Sequence, residues 1–430
     1  MSGAPAAGAH RLEACLAAVG DDPIVVVDSP PGAGKTSLVV QVAAFRVLER
    51  RQRVLVATVT NLAADDVSRR LSREYPRAPT FRVLGGAASA PTGVTGMRTL
   101  PLAHSAPHVA VVTLAKLALE VDRTTVRERY AACLVDEAYL VPASDLYAAL
   151  QIARQQVLVG DPGQLPPVVR VDTSEWQDLP LRPDEAAPRA LAARAEGVVR
   201  RQLRETYRLR PDTAALVQAA FYPDNPFRAA GPARQLDYRA EPGDGLDELI
   251  ARATLGDVSL VAGELPAADR PMVDGDAARV AAELVGRLVE RAAWREVGAS
   301  TRIGPDHVAV VAAHVAQVVA LREALRRRLG EVAGTVLCDT VERLQGQQRP
   351  VVVVLHPLSG MGEIRSFELA AGRLCVMLSR AQVATFVLFR AGVTESLRRF
   401  RTFDPRDYAG RRAHQLVMDW LVANGRVGRV

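Results

Sequence analysis

Residues 25–39 read VVVDSPPGAGKTSLV, and no other stretch constrains the fold as tightly. Val25 to Val27 is a β-branched run that suits a buried strand, Ser29 to Gly34 cannot continue it, and Ser37 to Val40 resumes an apolar pattern that reads as a helix. A strand, a glycine turn and a helix make a phosphate cradle, because backbone N–H groups point inward and the helix N-terminus adds partial positive charge. The pattern G-x-x-x-x-G-K-[ST] is met except at its first position, where Ser29 stands in place of a glycine and tolerates positive φ less easily. Pro31, Gly32, Ala33, Gly34, Lys35, Thr36 and Ser37 are therefore the candidate nucleotide ligands. Lys35 can reach the outer phosphates, and the Thr36 hydroxyl suits Mg²⁺.

The chain has 430 residues, 49% hydrophobic and 24% charged, which is ordinary for a folded protein and long enough for two or three cores. A net charge of +6 suits a polyanionic partner, although a plain solvated surface accounts for it as well. Lysine occurs only at Lys35 and Lys116, so the positive charge is nearly all arginine, which favours bidentate phosphate contacts. Cys15, Cys133, Cys338 and Cys375 stand singly without C-x-x-C spacing and read as core residues in a reducing compartment, not as a zinc site or disulfide framework. No apolar run reaches the length needed to span a bilayer, and the expectation is a cytoplasmic protein with no membrane contact.

Short β-branched runs recur between amphipathic stretches, at 24–27, 54–59, 109–113, 133–138 and 156–160, then at 258–263, 307–313, 351–356 and 385–389. That alternation predicts α/β architecture with two parallel sheets flanked by helices. The Pro- and acid-rich LPLRPDEAAPRA, in residues 170–200, reads as a linker, and the expected domains are 1–190 and 191–430. Residues 85–107 hold no clear period and read as a long surface loop. Near the C-terminus, Ala413, Leu416, Val417, Trp420 and Leu421 share one helical face, expected to pack on the chain's own core, with docking of a partner protein as the other reading.

Two acidic signals follow strands. Asp136 and Glu137 end the apolar run of VDEAYL, where one carboxylate can hold Mg²⁺ and the other polarise an attacking water. Asp161 and Gln164 follow another strand in VLVGDPGQLPP; a turn alone explains D-P-G but leaves Gln164 unexplained.

Taken in order, these segments resemble the superfamily 1 helicases, in particular the subgroup of the RNA-surveillance helicase of nonsense-mediated decay and related 5′-to-3′ DNA and RNA helicases. SPPGAGKT resembles GPPGTGKT, VTNLAADDV an S-N-x-A-x-D segment, VDEA the second nucleotide motif, and GDPGQLPP the G-D-x-x-Q-L-P-P motif. Further along, LRETYRLRP resembles L-x-x-x-Y-R-M-H-P, VVAAHVAQV resembles I-T-P-Y-x-x-Q, DTVERLQGQQ resembles D-T-V-E-G-F-Q-G-Q-E, and RLCVMLSRA resembles R-L-N-V-A-L-T-R-A.

The resemblance implies two RecA-like P-loop domains in tandem with reduced accessory insertions, and ATP and Mg²⁺ as cofactors. It implies that Lys35 and Thr36 hold phosphates and metal, Asp136 supports the metal, Glu137 positions water and Gln164 senses the γ-phosphate. Tyr207 would stack on the base, Glu342 would bond the ribose, and Arg208 and Arg380 would reach the γ-phosphate. Thr60, Asn61, Thr113 and Thr340 resemble residues that touch a nucleic-acid backbone. The sequence departs from the pattern in lacking a glutamine before the first strand, in Arg343-Leu344 for Gly-Phe, and in Cys375 for Asn. The implied activity is an ATP-dependent 5′-to-3′ translocase or helicase on single-stranded DNA or RNA, with DNA favoured. The alternative is a nucleotide-gated nucleic-acid-binding or recruitment subunit of a larger complex.

Overall fold

A computed structural model describes residues 9–122, 129–169, 171–176, 179, 182–241, 243–270, 272–344 and 346–430. Gln345 of the DTVERLQGQQ segment lies outside the described residues. The chain divides into two compact units, residues 1–162 with 166–205, and residues 163–165 with 206–430.

The first unit is built on eight parallel strands: β1 (Ile24–Asp28), β2 (Val54–Thr58), β3 (Thr80–Val83), β4 (Thr95–Met97), β5 (Val109–Thr113), β6 (Tyr130–Asp136), β7 (Ala153–Gly160) and β8 (Val199–Gln202). Their order across the sheet is β4-β3-β5-β2-β6-β7-β1-β8. Successive residues point to opposite faces. Val25, Val27, Val54, Val56, Val109 and Val111 join one core with helices α1 (Ala9–Val19), α2 (Lys35–Leu48) and α3 (Asn61–Glu74). Val26, Leu55, Ala57, Ala110 and Val112 join the other with α4 (Leu114–Asp122) and α5 (Ala143–Ile152). A sheet covered on both faces needs the near-continuous apolar strands that the sequence shows.

Two stretches differ from expectation. Within 85–107 the short strand β4 pairs with β3 at the sheet edge; three residues are too few to display a period. In the linker segment, residues 170, 177–178 and 180–181 lie outside the described residues, while Ala187 and Ala190 of a short helix are buried and β8 pairs with β1. Small alanines pack there without the bulky apolar signature of a core.

The second unit carries six parallel strands: β9 (Leu260–Leu265), β10 (Val308–Ala312), β11 (Leu337–Thr340), β12 (Arg349–Leu355), β13 (Ala381–Arg390) and β14 (Val427–Arg429). They are ordered β11-β10-β12-β13-β9-β14, beside a three-stranded antiparallel sheet of Arg234–Tyr238, Ala292–Glu296 and Ala299–Arg302. The main helices are α6 (Gly275–Arg291), α7 (Val315–Leu329), α8 (Ala371–Leu378) and α9 (Pro405–Ala423). On α9, Ala413, Val417 and Leu421 are buried and Leu416 and Trp420 partly so, which puts that face on the chain's own core. Cys133, Cys338 and Cys375 are buried, Cys15 is half-buried, and no disulfide joins any of them. No helix among the described residues is long and apolar enough to cross a membrane.

Two histidines lie inside the second unit. The Leu358 N–H donates to His356 Nδ1 at 3.3 Å, so the His356 proton sits on Nε2 and points to His414 Nδ1, 3.3 Å away. Burial pushes His356 down to about 3, and burial together with His356 holds His414 well below the usual histidine range. The folded pair therefore stays neutral while the unfolded chain takes up protons near pH ~6.5. Its contribution to stability is complete above that pH and is lost as pH falls toward the folded values, by up to about 1.4 kcal/mol per pH unit for each histidine. In urea titrations the parent should lose stability more steeply than a His356→Gln/His414→Gln variant on going from about pH 7 to about pH 5. Equal slopes would contradict the neutral pair.

Candidate functional site

All strands of the first sheet are parallel, so the residues that leave β1, β2, β5, β6 and β7 emerge at one sheet edge. The cradle follows β1, Asp136-Glu137 end β6, and Asp161 follows β7; β6, β7 and β1 are adjacent. This is the edge at which open α/β sheets receive ligands.

The left-handed conformations of the cradle fall on Gly32 (φ 76°) and Gly34 (φ 82°). Ser29 is not among the non-glycine residues with positive φ, so the missing first glycine costs the turn nothing in backbone strain. Its N–H donates to the Gly160 carbonyl at 2.9 Å, which ties the cradle to the end of β7. Gly34 caps α2, and a Cβ there would stand 3.0 Å from Arg11 Nη1.

Lys35 opens α2 with its side chain only 10% exposed, not facing solvent as a bare cradle lysine would. Its ammonium lies 3.2 Å from Glu137 Oε2 and 3.6 Å from Asp161 Oδ2. The Thr36 hydroxyl donates to Asp136 Oδ2 at 2.9 Å. Burial, and then the neighbouring Glu137, push the Asp136 carboxyl up to about 6. A hydroxyl and a buried carboxylate facing each other form an oxygen set that fits a hard divalent cation, and such a cation favours the ionised carboxylate that burial opposes.

Glu137 adopts φ 55° and ψ 41°, a left-handed conformation that costs a non-glycine residue about 1–3 kcal/mol. Its surroundings hold it there. The Glu137 N–H donates to Asp136 Oδ1 at 3.0 Å, and Gly160 presses so close that a Cβ on it would stand 2.9 Å from the Ala138 and Tyr139 nitrogens. The Tyr139 hydroxyl donates to Asp28 Oδ1 at 2.5 Å, and Arg200 Nη2 donates to Asp28 Oδ2 at 2.7 Å. Burial, then Asp28, raise the Tyr139 phenol above its ordinary range. A buried tyrosine thus joins the acidic turn after β6 to the last residue of β1.

On the neighbouring strands, Thr60 caps α3 by accepting from the Ala63 N–H at 3.2 Å, and Asn61 beside it is exposed. Thr113 ends β5 with 9% exposure, and its hydroxyl accepts from the Lys116 N–H at 3.4 Å.

In the second unit, Arg208 and Arg380 converge on one turn. Arg208 Nε donates to Gln348 Oε1 at 2.8 Å and its Nη1 to the Ser379 carbonyl at 2.9 Å. Arg380 is 2% exposed and donates from Nε to the Val376 carbonyl at 3.1 Å and from Nη2 to Ser379 Oγ at 3.4 Å. Tyr207 is 43% exposed. Glu342 accepts from Arg373 Nη2 at 2.8 Å, and that arginine also lies over the Phe367 ring at 3.7 Å. Gln164 packs with this unit; its carbonyl would stand 2.6 Å from a Cβ at Gly372. Thr340 ends β11 and is 6% exposed.

Arg11, Asp28, Tyr139, Arg200 and Arg373 were not evident from the motifs. Asp28 sits inside the quoted cradle segment and Tyr139 inside DEAYL, so a polar residue at an apolar strand end was the available signal.

Residues 12–170 match one family model described as an AAA domain, and residues 190–391 match a second with the same description. Together the two matches take in most of the chain, which belongs to the AAA-domain proteins. No curated protein matches it. Among solved structures, the chain is similar to arterivirus nonstructural protein 10, a helicase, at 15% identity over 93% of this chain and 64% of that one, with a TM-score of 0.44. The same viral protein in complex with DNA gives 16% identity, 93% and 65% coverage, and a TM-score of 0.46. The PRRSV helicase gives 15%, 88%, 54% and 0.43. The chain spans between 54% and 65% of the length of those proteins.

The Asp28–Tyr139 bond has a direct check. Tyr139→Phe leaves a buried carboxylate oxygen without its donor, and should destabilise this AAA-domain chain by about 1–3 kcal/mol in urea. A variant as stable as the parent would show that the bond contributes nothing.

Proposed function

We propose that the chain is an ATP-dependent translocase or helicase that travels 5′-to-3′ on single-stranded nucleic acid, DNA or RNA. The observation that carries the reading is the division of one sheet edge. β6, β7 and β1 supply Lys35, Thr36, Asp136, Glu137 and Asp161 for a nucleoside triphosphate, while the adjacent β2 and β5 lead into Thr60, Asn61 and Thr113 for a strand.

In this mechanism Pro31 to Ser37 wrap the phosphates, and Lys35 leaves Glu137 and Asp161 for the β- and γ-phosphates. Thr36 and Asp136 would hold Mg²⁺, which would supply positive charge to offset that of the phosphates. Glu137, released from Lys35, orients the attacking water and takes its proton. Gln164 reports the γ-phosphate. Tyr207 stacks on the base, Glu342 bonds the ribose, and Arg208 and Arg380 leave the Ser379 turn to reach the γ-phosphate. Hydrolysis removes the charge that draws them there, and the strand-binding residues Asn61 and Thr340 then alternate between near and far. Contacts of this type are to the backbone, so binding is insensitive to sequence and weakened by salt.

A second reading, a nucleotide-gated clamp or recruitment subunit with slow turnover, is favoured by the burial of Arg380 and the bonds that hold its side chain. Arg380→Ala separates the two. A motor should lose turnover on strands by a factor on the order of 10³ to 10⁵ and still bind ATP through Lys35, Thr36 and Tyr207. A loss of only a few-fold makes Arg380 structural and leaves the clamp. Direction is read from displacement of duplexes with 5′ or 3′ tails, where the 5′-tailed substrate should be the one opened; preference for the 3′ tail would contradict the polarity.

A further inference from the structure

Arg82 on β3 is 1% exposed, and its guanidinium is fully engaged. Nε donates to Asp65 Oδ1 at 2.8 Å, Nη1 to the Val83 carbonyl at 2.6 Å, and Nη2 to Asn61 Oδ1 at 2.8 Å. Asn61 and Asp65 lie four residues apart on one face of α3, so a single planar fork meets both.

The chemistry of arginine settles the orientation of the Asn61 amide. A guanidinium has only donors, so the atom facing it must be the carboxamide oxygen. The Asn61 Nδ2 therefore points away from Arg82, on an exposed residue, and no described residue takes its two donors. Left to itself, an exposed asparagine flips between presenting a donor and an acceptor. Here a buried cation removes that freedom.

Resting on the proposed strand-binding reading, we propose that Arg82 is a positioning residue. It locks Asn61 so that donors alone face the strand, and the contact at this point is to a phosphate oxygen. Phosphate oxygens in a strand accept and cannot donate, so a flipped amide would oppose lone pairs with lone pairs. Lysine cannot substitute, since a single ammonium on a longer stem does not span Asp65, the Val83 carbonyl and Asn61 in one plane.

The test is a double-mutant cycle on the full chain, read as the Kd for a fluorescent oligo-dT and a fluorescent oligo-U. Asn61→Ala should weaken binding about tenfold, the loss of one hydrogen bond to a charged group. Arg82→Lys should weaken it by a similar factor, and the Arg82→Lys/Asn61→Ala double variant should bind no worse than Asn61→Ala alone. Multiplied losses in the double variant overturn the proposal. Should Arg82→Lys fail to fold, Asn61→Asp serves. It keeps an oxygen for Arg82 and replaces the outward donors with a carboxylate oxygen, so it should retain the parent's melting temperature while losing tenfold or more in strand affinity. Strand affinity equal to the parent's overturns the proposal. A parent chain that binds neither oligonucleotide at low salt refutes the functional reading itself, and this inference with it.

Discussion

The ammonium of Lys35 is the interaction on which the nucleotide edge depends. The ends of β6 and β7 bring Asp136, Glu137 and Asp161 together, and like charges about 4 Å apart repel by roughly 4 kcal/mol at the effective dielectric near a protein surface. Lys35 lies within reach of two of them. The third, Asp136, takes the Thr36 hydroxyl and bears the cost as a raised pKa. In the proposed mechanism this arrangement exchanges partners: phosphates draw the ammonium away from Glu137 and Asp161, Glu137 is freed to orient a water, and Asp136 with Thr36 would hold the divalent cation. On the proposed reading, charge balance links binding of a triphosphate to release of the acid that acts on it.

The same sheet carries the contacts that support these groups. The strained Glu137 turn is anchored through Tyr139 to Asp28 at the end of β1, and Arg200 of β8 holds the other Asp28 oxygen. β8 pairs with β1, and three residues after it the first unit ends at Glu205, shortly before Tyr207 and Arg208. On the other side, β2 and β5 lead directly into Thr60, Asn61 and Thr113. The groups proposed to meet phosphates and those proposed to meet a strand therefore start from neighbouring strands of one sheet. The buried Arg82 does for Asn61 what Tyr139 does for Glu137: each uses a satisfied polar contact behind the site to fix a group in front of it.

Much of this was legible in the sequence because parallel strands covered on both faces must be apolar throughout. The runs at 24–27, 54–59, 109–113, 133–138 and 156–160 each became a central strand, as did those at 307–313, 351–356 and 385–389. The edge strands β4 and β8, and β3 beside β4, escaped notice, since all three are short and partly exposed. The cradle, Asp136 and Glu137 announced themselves by residue type. The groups behind them did not: Arg82 looks like any surface arginine in TFRVLGG until the fold buries it, and nothing in DEAYL says that Tyr139 will reach across 111 positions to Asp28. Ser29 shows the converse, a departure from the motif that matters little because the strained angles sit at Gly32 and Gly34.

The claim at the centre of this account is that triphosphate and strand are handled by one coupled edge. It is tested most directly by the steady-state rate of ATP turnover by the full chain with and without saturating single-stranded oligonucleotide at low salt. Coupling predicts a slow basal rate that rises at least tenfold with strand, with the stimulation fading as salt weakens binding. A rate that is the same in the presence and absence of bound strand would contradict it.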